Sequence, residues 1–176
     1  MKVQPHPKYA RIERERKFLL AQFPTNVSVA RILRIADRYI EGTTLRLREK
    51  SEDNGRRVFK LTQKLPAPAS GAQQGFITTM YLAEHEFRLL AKLPAHTLSK
   101  TRHSVPPFGI DVFEGTLEGL VIAEAEFDSA AAAASLTLPS FICHEVSADL
   151  RFTGGRLVCA SRQDIGNWLS DYNISL

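Results

Sequence analysis

Arg11-Ile12-Glu13-Arg14-Glu15-Arg16-Lys17-Phe18-Leu19-Leu20 is the stretch on which the fold turns. Successive side chains of a strand point to opposite faces, so residues two apart share a face. Glu13, Glu15 and Lys17 fall on one face; Ile12, Phe18 and Leu20 fall on the other, where Arg14 and Arg16 are the exceptions. The same sorting works further along the chain. In Thr43–Glu49, Arg46 and Arg48 lie opposite Leu45 and Leu47, and in Val58–Lys64, Lys60, Thr62 and Lys64 lie opposite Phe59 and Leu61. In Val121–Phe127, Glu124 and Glu126 lie opposite Val121, Ala123, Ala125 and Phe127, and Asp111 lies opposite Ile110 and Val112. A sheet with one face in water also alternates. What sets this chain apart is that carboxylates pair on two strands and cations pair on two others. Like charges two residues apart repel by roughly tenths of a kcal/mol, so each set calls for a counter-charge. Hard divalent cations use clustered carboxylates, and phosphate oxygens use clustered Arg and Lys. The pattern therefore predicts a metal-assisted phosphate site on one face of an antiparallel sheet.

Turn-rich segments at Ser51–Gly55, Pro66–Gly75, Val105–Gly109, Gly115–Gly119 and Thr153–Gly155 punctuate the chain at a spacing that reads as β-rich. Two segments read as helices instead: Leu82–Leu93, with Phe87, Leu90 and Leu93 at helical spacing, and Asp128–Ser135, with Asp128 as cap and Pro139 as stop. Residues 1–10 read as a lead-in and 11–176 as one domain, with Pro66–Gly75 a loop inside it. The 176 residues carry 23 Lys and Arg against 19 Asp and Glu, a net +4 that suits an anionic small molecule and is too weak to call for nucleic acid. Two cysteines, Cys143 and Cys159, cannot build a disulfide framework or a thiolate zinc site, and are expected reduced and partly buried. The five histidines lack the spacing of a metal site. No apolar run approaches the roughly 20 residues of a membrane span, and the charged Arg11–Lys17 stands where a signal peptide needs apolar residues, so a soluble, cytoplasmic protein is expected.

Glu13-Arg14-Glu15-Arg16-Lys17-Phe18 resembles the opening Glu-x-Glu-x-Lys signature of the CYTH family, the triphosphate tunnel metalloenzymes. It is followed in order by Tyr39-Ile40-Glu41-Gly42, Leu45-Arg46-Leu47-Arg48, Lys60-Leu61-Thr62-Gln63-Lys64 and Lys100-Thr101-Arg102. Then come Asp111-Val112-Phe113-Glu114-Gly115, Gly119 through Phe127, and Glu145 through Phe152, so the similarity covers nearly the whole chain. The resemblance implies an α+β fold: an eight-stranded antiparallel barrel, a tunnel with a polar interior and outward apolar faces under a few helices. It implies that Glu13, Glu15, Asp111, Glu124 and Glu126 hold one or two divalent metals, Mg²⁺ or Mn²⁺, and that Lys17, Arg46, Arg48, Lys60, Lys64 and Arg102 cradle a triphosphate. Catalytic roles fall to Glu13, Glu15, Lys17, Glu124 and Glu126, and Arg151 is a further phosphate contact near the mouth. Trp168 and Tyr172, four apart, are expected in a last helix against the barrel wall. The chain departs from the common pattern in two places. Ile77-Thr78-Thr79-Met80-Tyr81-Leu82 stands where many members are acidic, and so does Gly109.

The implied cations outnumber the implied carboxylates by about one charge, and two divalent metals would bring the site to about +5. Tripolyphosphate, at about −4 to −5, nearly neutralises that, whereas a single phosphate does not. The leading expectation is a metal-dependent triphosphatase that cleaves the terminal phosphate of a triphosphate-containing small molecule, with neither nucleic acid nor membrane as partner. The same cradle would also serve a class IV-type adenylate cyclase or a non-catalytic module that binds polyphosphate or a nucleotide.

Overall fold

The computed structural model describes residues 8–66 and 74–176; most of the lead-in and of the Pro66–Gly75 loop expected from sequence lie outside them. Nine strands follow one another as β1 Arg11–Leu20, β2 Arg31–Ile40, β3 Leu45–Ser51, β4 Arg57–Pro66, β5 Gln74–Leu82, β6 Ala95–Val105, β7 Phe108–Phe113, β8 Val121–Glu126 and β9 His144–Glu145. Hydrogen bonding runs β5-β4-β3-β2-β6-β7-β8-β1, and β5 returns to β1, so eight antiparallel strands close into a barrel. The two residues of β9 lie outside that ring, on the stretch of β1 beyond β5, opposite Phe18 and Leu19. The β3–β4 hairpin turns at Asn54-Gly55, where Gly55 takes a φ of +84° that glycine adopts without steric cost.

The helices are shorter than the sequence pattern suggests. Leu82 still belongs to β5, and α1 spans Glu84–Leu90, started by the Ala83 N–H donating to Glu86 Oε2 at 2.7 Å. In α2, Ala130–Ala134, the cap is Ser129 rather than Asp128: its Oγ accepts from the Ala132 N–H at 3.1 Å, and the helix ends at Ser135, before Pro139 is reached. Helices α3, Gly154–Leu157, and α4, Arg162–Ser170, complete the chain. No helix among the described residues is long and apolar enough to cross a membrane. Cys143 and Cys159 are free and exposed, not partly buried.

Register assigns the faces. Lys17 stands opposite Glu124 and Glu15 opposite Glu126; Arg48 lies opposite Asp37 on one side and Lys60 on the other; Arg102 lies opposite Asp111. Every charged face identified by two-residue spacing thus points into the barrel. Outside, Phe18, Leu20, Phe108, Ile110, Val121, Ala123 and Ala125 form one core, covered by Phe23, Leu136, Phe141 and Ile142.

The interior is not polar throughout. Leu19, Leu98, Phe113 and Ile122 share the inward face with the charges, yet at one end of the barrel they pack with Val146, Phe152, Leu157, Ile165, Leu169 and Ile174 of the C-terminal segment. Trp168 lies in α4 as expected, while Tyr172 lies past its end; both pack into this closure and meet Phe152 edge-on, at 6.2 and 5.9 Å between centroids. Burying a large apolar side chain contributes roughly 1.5 to 3 kcal/mol, so this many together hold the segment firmly. Backbone bonds fix where it starts, with the Val146 N–H donating to Lys17 O at 2.8 Å and the Lys17 N–H donating to Ser147 Oγ at 2.9 Å. Gly154 lets the segment approach β2 closely: a Cβ there would lie 1.9 Å from Tyr39 Oη, so the tyrosine side chain would have to move.

Candidate active site

The closed end and the inward faces enclose a cavity of about 670 Å³. Its carboxylate wall comes from β1 and β8: Glu13, Glu15, Glu124 and Glu126, with Lys17 among them. Arg46, Arg48, Lys64, Lys100 and Arg102 supply a cationic wall from β3, β4 and β6, and Arg156 joins from the C-terminal segment. With Asp37 included, seven cationic side chains face five carboxylates, so the cavity favours an anion.

Ion pairs link the two walls. Lys64 Nζ donates to Glu13 Oε1 at 2.8 Å, and Arg102 Nη2 donates to Glu124 Oε2. Lys17 Nζ lies 2.8 Å from Glu15 Oε1 but is poorly directed, and that buried oxygen receives no well-directed hydrogen bond among the described residues. Burial, with the Glu124 charge added to it, raises the Glu15 carboxyl above the ordinary range. Glu124 goes the other way: burial alone would raise it, but Lys100, Arg102 and Lys17 outweigh burial and hold it well below. Burial would likewise lower Lys17, and the Glu15 and Glu124 charges more than reverse that, keeping its ammonium protonated. Among the described residues, no three His, Cys, Asp or Glu side chains converge closely enough to grip an ion as they stand, since Lys64, Lys17 and Arg102 each hold one carboxylate. The donor set nonetheless suits a hard divalent cation. It is all oxygen, it crowds like charges at Glu15 and Glu126, and it includes the buried, unbonded Glu15 Oε1.

The cationic wall is held from behind. Asp37, almost fully buried, accepts from Arg48 Nε at 2.6 Å and Nη2 at 2.5 Å. Its own burial would raise its pKa, but Arg48 reverses that and keeps it ionised. Arg46 approaches Asp37 only to 3.9 Å, and its buried Nε has no hydrogen-bond partner among the described residues. That N–H is a donor already desolvated and still free.

Three expected site residues are placed differently. Asp111 is wholly buried and does not line the cavity. It accepts from Arg102 Nε and Nη2, both at 2.6 Å, and from Lys100, so it is a counter-ion to two cations rather than an open metal ligand. Lys60 faces inward by register but lies outside the cavity, with Nζ 4.7 Å from the centre of the exposed Tyr81 ring. Arg151 also lies outside it, its guanidinium held by Asp149 and, at 2.6 Å, by Asp171. The departure at Gly109 has a steric reason: a Cβ there would meet Arg102 Cδ at 3.1 Å, so the missing side chain makes room for the arginine that reaches both Asp111 and Glu124. At the other departure Thr79 faces inward and shares a hydrogen bond with Thr62 at 3.0 Å.

Lys50, two residues beyond Arg48 on the same face, has no ion-pair partner among the described residues. Burial and the nearby Arg48, Lys60, Arg102 and Arg46 push it down to about 8. The unfolded chain keeps that proton up to the ordinary lysine value, so between pH 8 and about 10.5 the unfolded state binds more protons and stability rises with pH. Lys50→Met is expected to remove that slope and to stabilise the chain at pH 7 by about 1 kcal/mol, allowing for solvent screening of a half-buried side chain. Urea denaturation at pH 7 and 9.5 checks both; an unchanged slope would mean that Lys50 is ordinary.

No protein-family model and no curated protein sequence matches the chain. Solved structures do resemble it, among them two of one protein. One of NE1496, described as a hypothetical protein, is 26% identical over 85% of this chain and 99% of its own, with a TM-score of 0.56. The other, described as the inorganic triphosphatase NE1496, is 25% identical over 84% and 95%, with a TM-score of 0.55. The chain has the CYTH, or triphosphate tunnel, fold. In this chain the triphosphate tunnel fold brings Glu13, Glu15, Lys17, Arg46, Arg48, Lys64, Arg102, Glu124 and Glu126 to one cavity, together with Asp37, Tyr39, Lys100 and Arg156, which sequence reading left out. Lys100 was within reach, since it shares a face with Arg102 two residues on. Tyr39 stands in the Tyr39-Ile40-Glu41-Gly42 motif without a site role attached to it, and Asp37 gave no signal, because β2 alternates without segregating its charge.

Proposed function

We propose that this chain is a metal-dependent triphosphatase that hydrolyses the terminal phosphate of a triphosphate-containing small molecule. The observation that carries the reading is a pair of buried atoms on cavity-lining side chains that lack a well-directed hydrogen bond among the described residues: the Arg46 Nε donor on the cationic wall and Glu15 Oε1, met only by the misdirected Lys17 ammonium, on the carboxylate wall. A phosphate oxygen satisfies the first and a hard cation the second. The likeness to NE1496 supports the same chemistry.

Arg46 and Arg48 would bind the phosphate chain, Arg48 being oriented by Asp37 and so presented at no further cost in rotamer freedom. Arg102, itself fixed by Asp111, and Lys64 would exchange part of their carboxylate contact for phosphate oxygens. Glu13, Glu15, Glu124 and Glu126 would hold Mg²⁺ or Mn²⁺, which when bound neutralises phosphate charge and makes water a better nucleophile. Lys17, kept protonated by Glu15 and Glu124, would meet the charge that develops at the terminal phosphate. The water oxygen bonds to the terminal phosphorus as the bridging phosphorus–oxygen bond breaks; the remaining phosphate chain leaves with the bridging oxygen and its electron pair, the water's proton passes to solvent, and orthophosphate is released.

The test is phosphate release from tripolyphosphate, ATP and thiamine triphosphate with Mg²⁺ or Mn²⁺, with cyclic AMP assayed in parallel. Orthophosphate from at least one substrate, without cyclic AMP, is the expected result. Cyclic AMP and pyrophosphate would make the chain a cyclase, and tight binding without turnover would make it a binding module; either would overturn the proposal.

A further inference from the structure

Arg14 and Arg16 break the apolar face of β1, and the barrel interior makes no use of them. They open instead onto a separate pocket of about 350 Å³ on the outer face, whose walls include Ala130, Ala133 and Ala134 of α2 together with Glu145. A volume of that size falls in the range of small-molecule sites. The two arginines are unequally satisfied. Arg16 donates Nε and Nη2 to Glu145 Oε1 and Oε2, at 2.9 and 2.5 Å, and Nη1 to Ala133 O at 2.9 Å. Glu145 is itself fixed by Ser147 Oγ, which donates to it at 2.7 Å. Among the described residues Arg14 has only a long contact from Nη1 to Asp128 O, 3.3 Å, and its Nε is buried with no hydrogen-bond partner.

We propose that this pocket binds a small carboxylate monoanion with a short aliphatic tail, its head on Arg14 and its tail against the alanine methyls of α2. Glu145 matches Arg16, and Arg14 has no ion-pair partner among the described residues, which leaves a single positive charge unmatched, so the pocket calls for one negative charge rather than several. The buried Nε–H of Arg14 needs an acceptor, and a carboxylate accepts a charge-assisted hydrogen bond from it. Three alanine side chains offer nothing to a second charged group but suit methylene groups, which are driven out of water onto them. Glu15 borders both this pocket and the barrel cavity, but Arg14 and Arg16 line only this one, and the proposal does not use the triphosphate reading.

The probe is butyrate, titrated into the full chain and followed by backbone amide chemical shifts, with acetate and orthophosphate in parallel. Saturable shifts at Arg14, Arg16 and Ala130–Ala134 are expected with butyrate, weaker binding with acetate, and none there with orthophosphate. Arg14→Gln should weaken butyrate about tenfold or more, the effect of losing a charge-assisted bond, and Ala133→Leu, which fills the pocket, should abolish it. Arg14→Lys keeps the charge without the Nε donor and should fall between Arg14→Gln and the parent. The proposal is overturned if butyrate gives no saturable shifts at these amides, if Arg14→Gln binds it as the parent does, or if orthophosphate occupies the pocket in its place. Should the variants not fold, the titration of the parent decides.

Discussion

Asp111→Ala will destabilise the barrel by about 3 to 5 kcal/mol, the loss expected when a buried ion pair is broken from one side. Asp111 is fully buried and is the shared acceptor for Arg102 and Lys100. Removing it leaves two cations in the interior, with Glu124 able to answer only one of them directly. Lys100 is already lowered below the ordinary lysine range by burial despite its carboxylate neighbours, and without Asp111 it should lose its proton at a lower pH still. Asp111→Asn, which keeps the shape and some hydrogen bonds, should cost less than Asp111→Ala. Urea denaturation of the three proteins measures this. A loss below about 1 kcal/mol for Asp111→Ala, the scale of an exposed ion pair, would mean that Asp111 does not support the cationic wall.

Glu124→Gln and Arg46→Ala should separate the two halves of the site. Glu124→Gln weakens metal binding and at the same time loosens Arg102, so kcat should fall by about 10 to 100-fold or more while KM moves little. Arg46→Ala removes the unbonded Nε donor from the cationic wall. One charge-assisted hydrogen bond is worth about 1.5 to 3 kcal/mol, and this one should appear in KM as well as kcat because phosphate is gripped in the ground state. Steady-state kinetics on tripolyphosphate distinguish the two patterns. Parent-like turnover in Glu124→Gln would show that Glu124 is no metal ligand and that the carboxylate wall has been misread.

Two-residue periodicity made the inward charged faces of β1, β3, β4 and β8 legible, because each of those strands segregates its charge. It failed at β2, where Arg34 and Arg38 point outward while Asp37 and Tyr39 share the inward face with Leu33 and Ile35. A buried carboxylate among apolar neighbours is indistinguishable, in one strand, from an ordinary solvent-facing one. Periodicity also cannot say how far along the barrel axis a residue lies. Leu19 and Ile122 have the same parity as Glu15 and Glu124, yet they belong to the apolar closure built by Phe152 and its neighbours, which are distant in sequence. For the same reason Lys60, inward by parity, was expected in the cradle, and Asp111 was expected as a metal ligand. Only the assembled barrel shows that Lys60 lies over Tyr81 outside the cavity and that Arg102 folds across Gly109 onto Asp111. The apolar face of β1 carried the clearest local inconsistency, Arg14 and Arg16, and it is there that the second pocket lies.

The most direct test of the central claim is orthophosphate release from tripolyphosphate by the purified chain, measured before exhaustive chelation, after it, and after Mg²⁺ is restored. Without a metal nothing at the carboxylate wall neutralises the terminal phosphate or makes water a better nucleophile, so release is predicted to disappear on chelation and to return with the metal. Release that continues undiminished after chelation would contradict the account.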